Sequence, residues 1–404
     1  MLQAPHRARI MAAMPLPKNP DMRSLLVRAL ALAACAAVIP RYVAGHPAGG
    51  HFHNDLQSQD ALAREVAATV GSGTLARAFR TGSARFDGEW AFGTFTMAAI
   101  GLGNVILAHP ERRADYIPVM EQCADELVSK GTNAFGTEAW GDFGLDGLPG
   151  GRGHGYLGYS NLALSMIRLI HPETHHSKLH DELTEALAKR LEASPRGLFE
   201  TYPGEAYPAD MAMVAGSIAL HDCATGAPPR PFWPAWRAAY SEWIDPKSGL
   251  LRQFGAVQPG GPEGPARSSG TALAAFALSF VDRDLSKRLF EGLRRSRANV
   301  LGFGAILEYP PGEWGMGDID SGPVVLGAGV SATGFTISSA KLHGDQALFT
   351  ELYRTADLFG VPVHRPSGMR FMSGGPLGNS ILLAMTTATW EWKNRCRTPK
   401  KEGL

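Results

Sequence analysis

Helix-length segments of two kinds alternate along the chain from residue 55 onward. The first kind is amphipathic and charged. Segment 176–192 is an example, because leucines recur every four residues from 179 to 191 while charged residues occupy the other faces. This spacing predicts surface helices that each bury one stripe. The six segments of this kind are 58–80, 110–130, 176–192, 229–243, 283–298 and 345–359.

The second kind of segment is small, apolar and almost free of charge. Segment 323–342 has apolar or small residues on every side, so a helix there must be surrounded by protein. Each glycine within such a helix costs up to about 1 kcal/mol in helix propensity, and close packing must offset that cost. The six segments of this kind are 90–107, 155–170, 208–223, 268–281, 323–342 and 377–391.

The alternation of the two kinds predicts an all-α protein with an (α/α)6 barrel fold. Six buried helices, each preceded by a surface helix, close into a double ring whose inner helices run parallel. A flat helical solenoid is the alternative, but it would not leave every inner helix apolar on all sides. Segments 249–257 and 301–309 are expected to form short hairpins at the mouth of the barrel.

Composition narrows the range of partners. The 404 residues carry a formal net charge of +1, which gives no basic excess for nucleic acid. The chain has no phosphate-binding loop, no GxSxG or HExxH motif and no dinucleotide fingerprint in a strand–helix context. We therefore expect a small-molecule substrate, no cofactor and no metal. The sequence is also compatible with a homo-oligomer.

The N-terminal region is typical of an exported protein. Arg23 precedes an apolar run, Ala29–Ile39, that is about as long as the core of a signal peptide. Arg28 disfavours a stable membrane span, since a mid-membrane arginine costs about 2.5 kcal/mol or more. Residues 32–35 also fit a lipobox, which would place a lipid on Cys35. We expect a leader and linker over 1–50, the barrel over 51–395, a disordered tail over 396–404, and a periplasmic or membrane-anchored location.

The cysteines and the clustered histidines are interpreted as structural. Three cysteines remain outside the leader, an odd number, so a full disulfide framework is not expected. Cys123 and Cys223 fall in helical segments and are predicted to be buried apolar thiols. His175, His176 and His180 begin a surface helix and are predicted to be solvated.

Candidate chemistry lies in the long loops that lead into the inner helices, because parallel inner helices bring these loops to one rim. Asp210 follows Pro208 in the first turn of a helix, where a carboxylate is stabilised. Asp318 and Asp320 could be an acid/base pair, a metal site or a helix cap. His154, between glycines, could shuttle protons or cap a helix. The other rim candidates are Asp87, Glu89, Trp90, Tyr156, Glu200, Tyr202, Glu205, Tyr207, Trp314 and Arg370.

Four stretches, 87–90, 153–162, 200–210 and 243–250, resemble the linalool dehydratase/isomerase-like family, which has the (α/α)6 barrel. The resemblance implies a lyase or isomerase that acts on a small alcohol or terpenoid by acid/base catalysis. It matches Asp87 and His154 to the family's aspartate and histidine. Glu200 and Ala209 fall near the family's two cysteines, so altered catalytic groups are implied, with Glu200, Glu205 or Asp210 as candidates.

A second resemblance is to the six-hairpin glycosidases, lyases and sugar epimerases. Aromatic residues of the rim, such as Trp90, Tyr202 and Trp314, would stack on sugar rings while carboxylates perform acid/base catalysis. A non-catalytic binding barrel of the cell envelope is the third hypothesis. The sequence thus predicts catalytic roles for Asp87, His154, Glu200 and Asp210, and substrate-binding roles for the other rim candidates, Asp318 and Asp320 included.

Overall fold

The computed structural model describes residues 20–75, 78–258 and 260–397. Its helices are α1 (Pro20–Val43), α2 (Ala48–Phe52), α3 (Leu56–Gly71), α4 (Ala84–Ala108), α5 (Arg113–Leu127), α6 (Ala134–Trp140), α7 (Leu157–Ile170), α8 (Ser177–Glu192), α9 (Pro208–Thr225), α10 (Trp233–Ser241), α11 (Ser268–Leu278), α12 (Arg283–Arg295), α13 (Val330–Leu342), α14 (Gln346–Gly360) and α15 (Gly375–Thr387). Short 3-10 turns lie at Pro110–Arg112 and Glu391–Arg395.

The inner ring consists of α4, α7, α9, α11, α13 and α15. Each of these helices packs against the next, and α15 packs against α4, so the ring closes. The outer ring consists of α3, α5, α8, α10, α12 and α14, each placed in sequence before or after an inner helix. Every residue from Thr94 to Leu107 of α4 is buried, as expected of a helix enclosed on all sides. The predicted (α/α)6 barrel is confirmed.

Small residues set the spacing of the inner ring. A Cβ atom on Gly158 of α7 would lie 2.8 Å from the backbone nitrogen of Val214 in α9. A Cβ atom on Gly216 of α9 would lie 2.6 Å from the carbonyl oxygen of Ala277 in α11. Both distances are too short for a real side chain, so any larger residue would push the helices apart. The low helix propensity of these segments is therefore offset by close packing.

Four antiparallel hairpins interrupt the loops before inner helices. They pair β1 (Leu251–Arg252) with β2 (Ala266–Arg267), β3 (Arg297–Val300) with β4 (Phe303–Ile306), β5 (Val324–Val325) with β6 (Ala328–Gly329), and β7 (Pro362–Arg365) with β8 (Gly368–Phe371). The β3–β4 hairpin overlaps the expected segment 301–309, whereas the expected segment 249–257 contains only β1, which pairs with β2 outside it. The fifth inner helix begins at Val330 and not at 323, because residues 324–329 form the β5–β6 hairpin instead.

The N-terminal part divides into an exposed helix and a packed segment. Two described stretches, Asp21–Phe52 and α4, are long and apolar enough to cross a membrane, but α4 is buried in the barrel core. The described apolar side chains of α1 are largely exposed. Ala44, Ala48 and His51 are buried, and the N–H of Gly45 donates to Asp357 over 2.7 Å. Packing therefore begins near Ala44, before the boundary expected at residue 50.

The cysteines differ from their sequence interpretation. Cys223, at the end of α9, forms a disulfide with Cys396, with 4.6 Å between their Cα atoms. The sequence wrongly predicted Cys223 to be a thiol and assigned Cys396 to a free tail. The error has a physical cause, since the pairing joins residues 173 positions apart, which only the closed ring brings together. Cys123 is a buried free thiol. Residues 398–404 of the expected tail lie outside the described residues.

Candidate active site at the mouth of the barrel

Three carboxyl groups converge at the N-terminal ends of the inner helices. Glu89 lies in the second turn of α4, Asp210 in the first turn of α9, and Asp320 in the loop before β5. They are close enough to interact, because the charges of Asp320 and Asp210 both raise the pKa of Glu89, and that of Asp210 raises the pKa of Asp320. We refer to Glu89, Asp210 and Asp320 as the mouth cluster.

Glu89 is the member with the strongest sign of chemical function. Burial raises its pKa from 4.5 to about 7, opposed in part by a short hydrogen bond that the Tyr202 phenol donates to Oε1. The guanidinium of Arg85 lies 4.2 Å from the centre of the Tyr202 ring and also favours the ionised form. Oε2 of Glu89 is buried and has no hydrogen-bond partner among the described residues. Glu89 is therefore a carboxyl group that can hold a proton near neutral pH.

Asp210 is held from two sides. Tyr159 of α7 donates its hydroxyl to Oδ1 over 2.7 Å, and the Thr201 hydroxyl donates to Oδ2 over 2.8 Å. Enclosure by protein raises the pKa of Asp210, although both hydrogen bonds act in the opposite direction. Since both of its oxygens are engaged, Asp210 is suited to fixing charge and geometry at the mouth.

Asp320 is the most accessible member of the mouth cluster. Surrounding protein atoms raise its pKa to about 6, and the negative charges of Asp318 and Asp210 add to that effect. The Trp90 side chain donates a hydrogen bond to it, which opposes the increase. Asp320 is thus ionised at neutral pH and lies beside a carboxyl group, Glu89, that is half protonated there.

A second group of charges, which we call the anchor cluster, holds the loop that carries Asp320. Buried Arg267 donates to Glu308 over 2.9 Å, to Asp318 over 2.6 Å and to the Ser321 hydroxyl over 2.7 Å. The N–H of Ser321 also donates to Asp318, and these bonds lower the pKa of Asp318 despite its partial desolvation. Asp318 is therefore a loop anchor, while Asp320 remains free for chemistry.

Two predicted catalytic residues, Asp87 and His154, have hydrogen-bond partners outside the mouth cluster. Asp87 accepts the N–H of Thr81 over 2.7 Å and so closes the turn before α4. His154 has a left-handed backbone, with φ at 55°, and its ring stacks on Trp140 with 4.4 Å between ring centres. Its Nε2 pairs with Asp142 over 2.9 Å. Asp87, His154 and Asp210 each have a separate set of hydrogen-bond partners, and their convergence stays a prediction.

The remaining rim candidates occupy varied places. Tyr156 is buried against Tyr202, with ring centres 6.0 Å apart, and its hydroxyl has no partner among the described residues. Glu205 accepts the Tyr207 hydroxyl over 2.8 Å, and Glu200 accepts the N–H of Gly204. Trp314 is 87% exposed. Arg370 lies 3.7 Å from Glu65, beside a cavity of about 180 Å³ between α3 and α15.

Sequence reasoning missed the groups that tune the mouth cluster. Arg85, Tyr159 and Thr201 act on Glu89 or Asp210 from three different hairpins of the barrel. Tyr159 stood within a stretch, 153–162, that the sequence did mark. The one sequence feature that could have indicated Tyr159 is that it is a polar aromatic residue in the first turn of an otherwise apolar helix.

The chain has similar solved structures but no matching family model. No family model matches the chain, and no curated protein matches it. The solved structures that are similar include two mannanases. One is an inactive variant of the α-1,6-mannanase GH76A of Salegentibacter sp. HEL1_6 in complex with α-1,6-mannotriose, at 13% identity over 82% of this chain and 98% of that chain, with a TM-score of 0.48. The other is the GH76 α-mannanase BT2949 of Bacteroides thetaiotaomicron, at 11% identity over 75% and 86%, with a TM-score of 0.43.

These findings correct the family resemblance drawn from short motifs. The similar structures are α-mannanases and not linalool dehydratase/isomerases. The expectation of a lyase or isomerase acting on a terpenoid, which rested on that resemblance, is therefore wrong. Asp87 and His154, the two residues matched to that family, have hydrogen-bond partners outside the mouth cluster.

Proposed function

We propose that this protein is a carbohydrate-active hydrolase that cleaves glycosidic bonds at the mouth of the barrel. One observation carries the proposal. Glu89 has a pKa raised to about 7 by burial, and its Oε2 has no hydrogen-bond partner among the described residues. A buried, protonated carboxyl group with a free oxygen is what a general acid needs in order to protonate a leaving oxygen.

The roles follow from the differing environments of the carboxyl groups. Glu89 donates its proton to the glycosidic oxygen as the bond to the anomeric carbon breaks. Asp320, ionised above about pH 6, accepts a proton from the water that attacks this carbon. Asp210, held by Tyr159 and Thr201, keeps negative charge beside the positive charge that develops on the sugar ring. Glu89 loses one proton and Asp320 gains one, so the total number of protons on these two groups is unchanged over one turnover.

The surroundings of the cluster fit a saccharide. Trp90 and Tyr207, which are partly exposed, place aromatic rings next to the carboxyl groups of Asp320 and Glu205. A sugar offers both kinds of surface, because its C–H faces pack on aromatic rings and its hydroxyls bind charged groups. The proposed substrate is therefore a small oligosaccharide.

The exposed apolar helix α1 supports the further proposal that the protein is exported, through a signal peptide or a retained membrane anchor, with a lipid on Cys35 as the alternative.

The test is an assay of reducing-end release from a panel of oligosaccharides, including the α-1,6-mannotriose held by the Salegentibacter mannanase. Wild-type protein is compared with Glu89→Gln, which preserves shape and removes the acid. Glu138→Gln is the matched control, because Glu138 is an exposed carboxylate on α6, a helix that packs against α4. The proposal requires hydrolysis of at least one sugar, retained in the control and lost in Glu89→Gln. Equal rates in all three proteins would contradict it.

A further inference from the structure

Histidines and carboxylates meet on the outer ring, between α5 and the turn that precedes α8. Glu121 and Asp125 stand four residues apart on α5, so they project from the same face of that helix. His175 and His176 lie in the turn that follows α7. We refer to these four residues as the His175 cluster. The sequence predicted solvated histidines here, but His176 is only 7% exposed.

The ring nitrogens of the cluster converge. Nε2 of His175 and Nε2 of His176 lie 3.0 Å and 2.9 Å from the same Oδ1 atom of Asp125. Nδ1 of His175 lies 3.4 Å from Oε2 of Glu121. One ligand atom from each of Glu121, His175 and His176 falls within 4.8 Å of the others. Donor atoms around a tetrahedral zinc ion lie roughly 3.3 Å apart, so small side-chain movements would complete a metal shell.

Glu121 is oriented into the cluster. The Thr174 hydroxyl donates to Oε2 over 2.8 Å, which fixes the carboxylate as outer-shell groups do at metal sites. Oε1 is buried and has no hydrogen-bond partner among the described residues. The described structure records ion pairs of Glu121 and Asp125 with histidines alone, and none with lysine or arginine. Two carboxylates thus face the imidazoles of His171, His175 and His176, with no lysine or arginine paired to them among the described residues.

A second histidine–carboxylate group shows what a purely structural arrangement looks like. His180, Asp181 and His221 also lie within ligand distance of one another. There, however, Arg168 approaches Asp181 at 4.0 Å, and Arg230 pairs with the adjoining Asp222 at 2.9 Å. Guanidinium groups supply the positive charge, and a metal ion would be repelled. This contrast favours the His175 cluster as the metal site.

We propose that the His175 cluster binds a first-row divalent transition-metal ion, with zinc as the best fit, through His175, His176 and Glu121, while Asp125 orients the imidazole rings. Mixed imidazole and carboxylate donors suit zinc, whereas magnesium and calcium take oxygen donors. The ion binds between Glu121 and the two imidazoles, and so ties α5 to the turn before α8. This inference is independent of the proposed hydrolase activity.

The test is calorimetric titration of ZnCl₂ into the full-length protein after treatment with EDTA. We expect one saturable site per chain and a rise in Tm with zinc, because a ligand that binds only the native state stabilises it. His175→Ala and Asp125→Asn change exposed side chains, at 65% and 58% exposure, so the fold should survive both. Each should weaken zinc binding at least roughly tenfold, as even outer-shell changes do.

Two controls leave the cluster intact. His364→Ala removes an exposed histidine of β7, and Asp115→Asn removes an exposed carboxylate of α5. Both should bind zinc like the wild type. The proposal is overturned if zinc shows no saturable site, if His175→Ala and Asp125→Asn bind zinc as tightly as the controls, or if MgCl₂ raises Tm as much as ZnCl₂ does.

Discussion

The mouth cluster and the anchor cluster lie at the same rim, yet their carboxyl groups behave oppositely. In the anchor cluster, Arg267 bonds directly to Glu308 and Asp318, and the pKa of Asp318 is lowered. In the mouth cluster, Arg85 lies over the Tyr202 ring, and the pKa values of Glu89 and Asp320 are raised. A direct cation makes a carboxylate structural, whereas burial beside other carboxyls makes it a proton carrier.

The largest effect is expected from Glu89→Gln. Loss of the general acid should reduce kcat by roughly 10²–10⁴-fold. The Tm should not fall, because the neutral amide replaces a carboxyl group whose ionisation is costly in this place. Steady-state kinetics and thermal unfolding at pH 7 measure both. A loss of Tm as large as the loss of activity would assign Glu89 to the structural class of the anchor cluster.

Arg267→Met is the corresponding change in the anchor cluster. It leaves Glu308 buried without its cation, and removing one partner of a buried ion pair typically costs about 3–5 kcal/mol. Denaturant unfolding should show this loss. Arg252→Met, at a more exposed ion pair with Glu263, should cost about 1 kcal/mol or less. Similar losses in the two variants would show that the anchor cluster does not depend on its buried pair.

The pH dependence should separate the two clusters further. Hydrolysis requires Glu89 protonated and Asp320 ionised, so the rate should fall above about pH 7 and below about pH 6. The pKa of Glu89 is higher in the folded protein than its ordinary value of 4.5, so the folded state loses stability as pH rises from about 4.5 to about 7. In Glu89→Gln this part of the loss should disappear. Urea unfolding at pH 5 and pH 8 tests it.

The smallest effect is expected from Tyr202→Phe. The phenol donates to Oε1 of Glu89 and opposes the rise of its pKa. Removing that donor should shift the alkaline limb of the rate profile to higher pH while most of the fold stability remains. A shift to lower pH would mean that the phenol favours the protonated carboxyl. Tyr240→Phe, whose hydroxyl bonds to the Pro208 carbonyl, is a control that should leave the alkaline limb in place.

The fold could be predicted from the sequence because the distribution of apolar and charged residues around each helix indicates how much of that helix is buried. Segment 176–192 has one apolar stripe and charged residues on its other faces, which predicts an outer helix. Segment 90–107 is apolar on all sides, which predicts an inner helix. The start of α13 was misplaced, since residues 323–329 are apolar enough for a helix but pair as a hairpin.

The site was less predictable because its chemistry depends on contacts between hairpins. Glu89, Asp210 and Asp320 were all candidates, but nothing local distinguishes Glu89 from Asp87, two residues earlier. The difference comes from Tyr202, 113 positions away, and from burial in the mouth. Likewise, Asp318 differs from Asp320 because the N–H of Ser321 and the guanidinium of Arg267 both bond to Asp318.

The most direct test of the account is an NMR titration of the Glu89 carboxyl carbon. Protein labelled with ¹³C at glutamate side chains is compared with the same sample of Glu89→Gln, and the resonance absent from the variant is followed from pH 4 to pH 9. The account predicts a midpoint near the value of about 7 that burial gives this group. A midpoint near 4.5, the ordinary value for a glutamate, would contradict both the proton-holding role and the proposed mechanism.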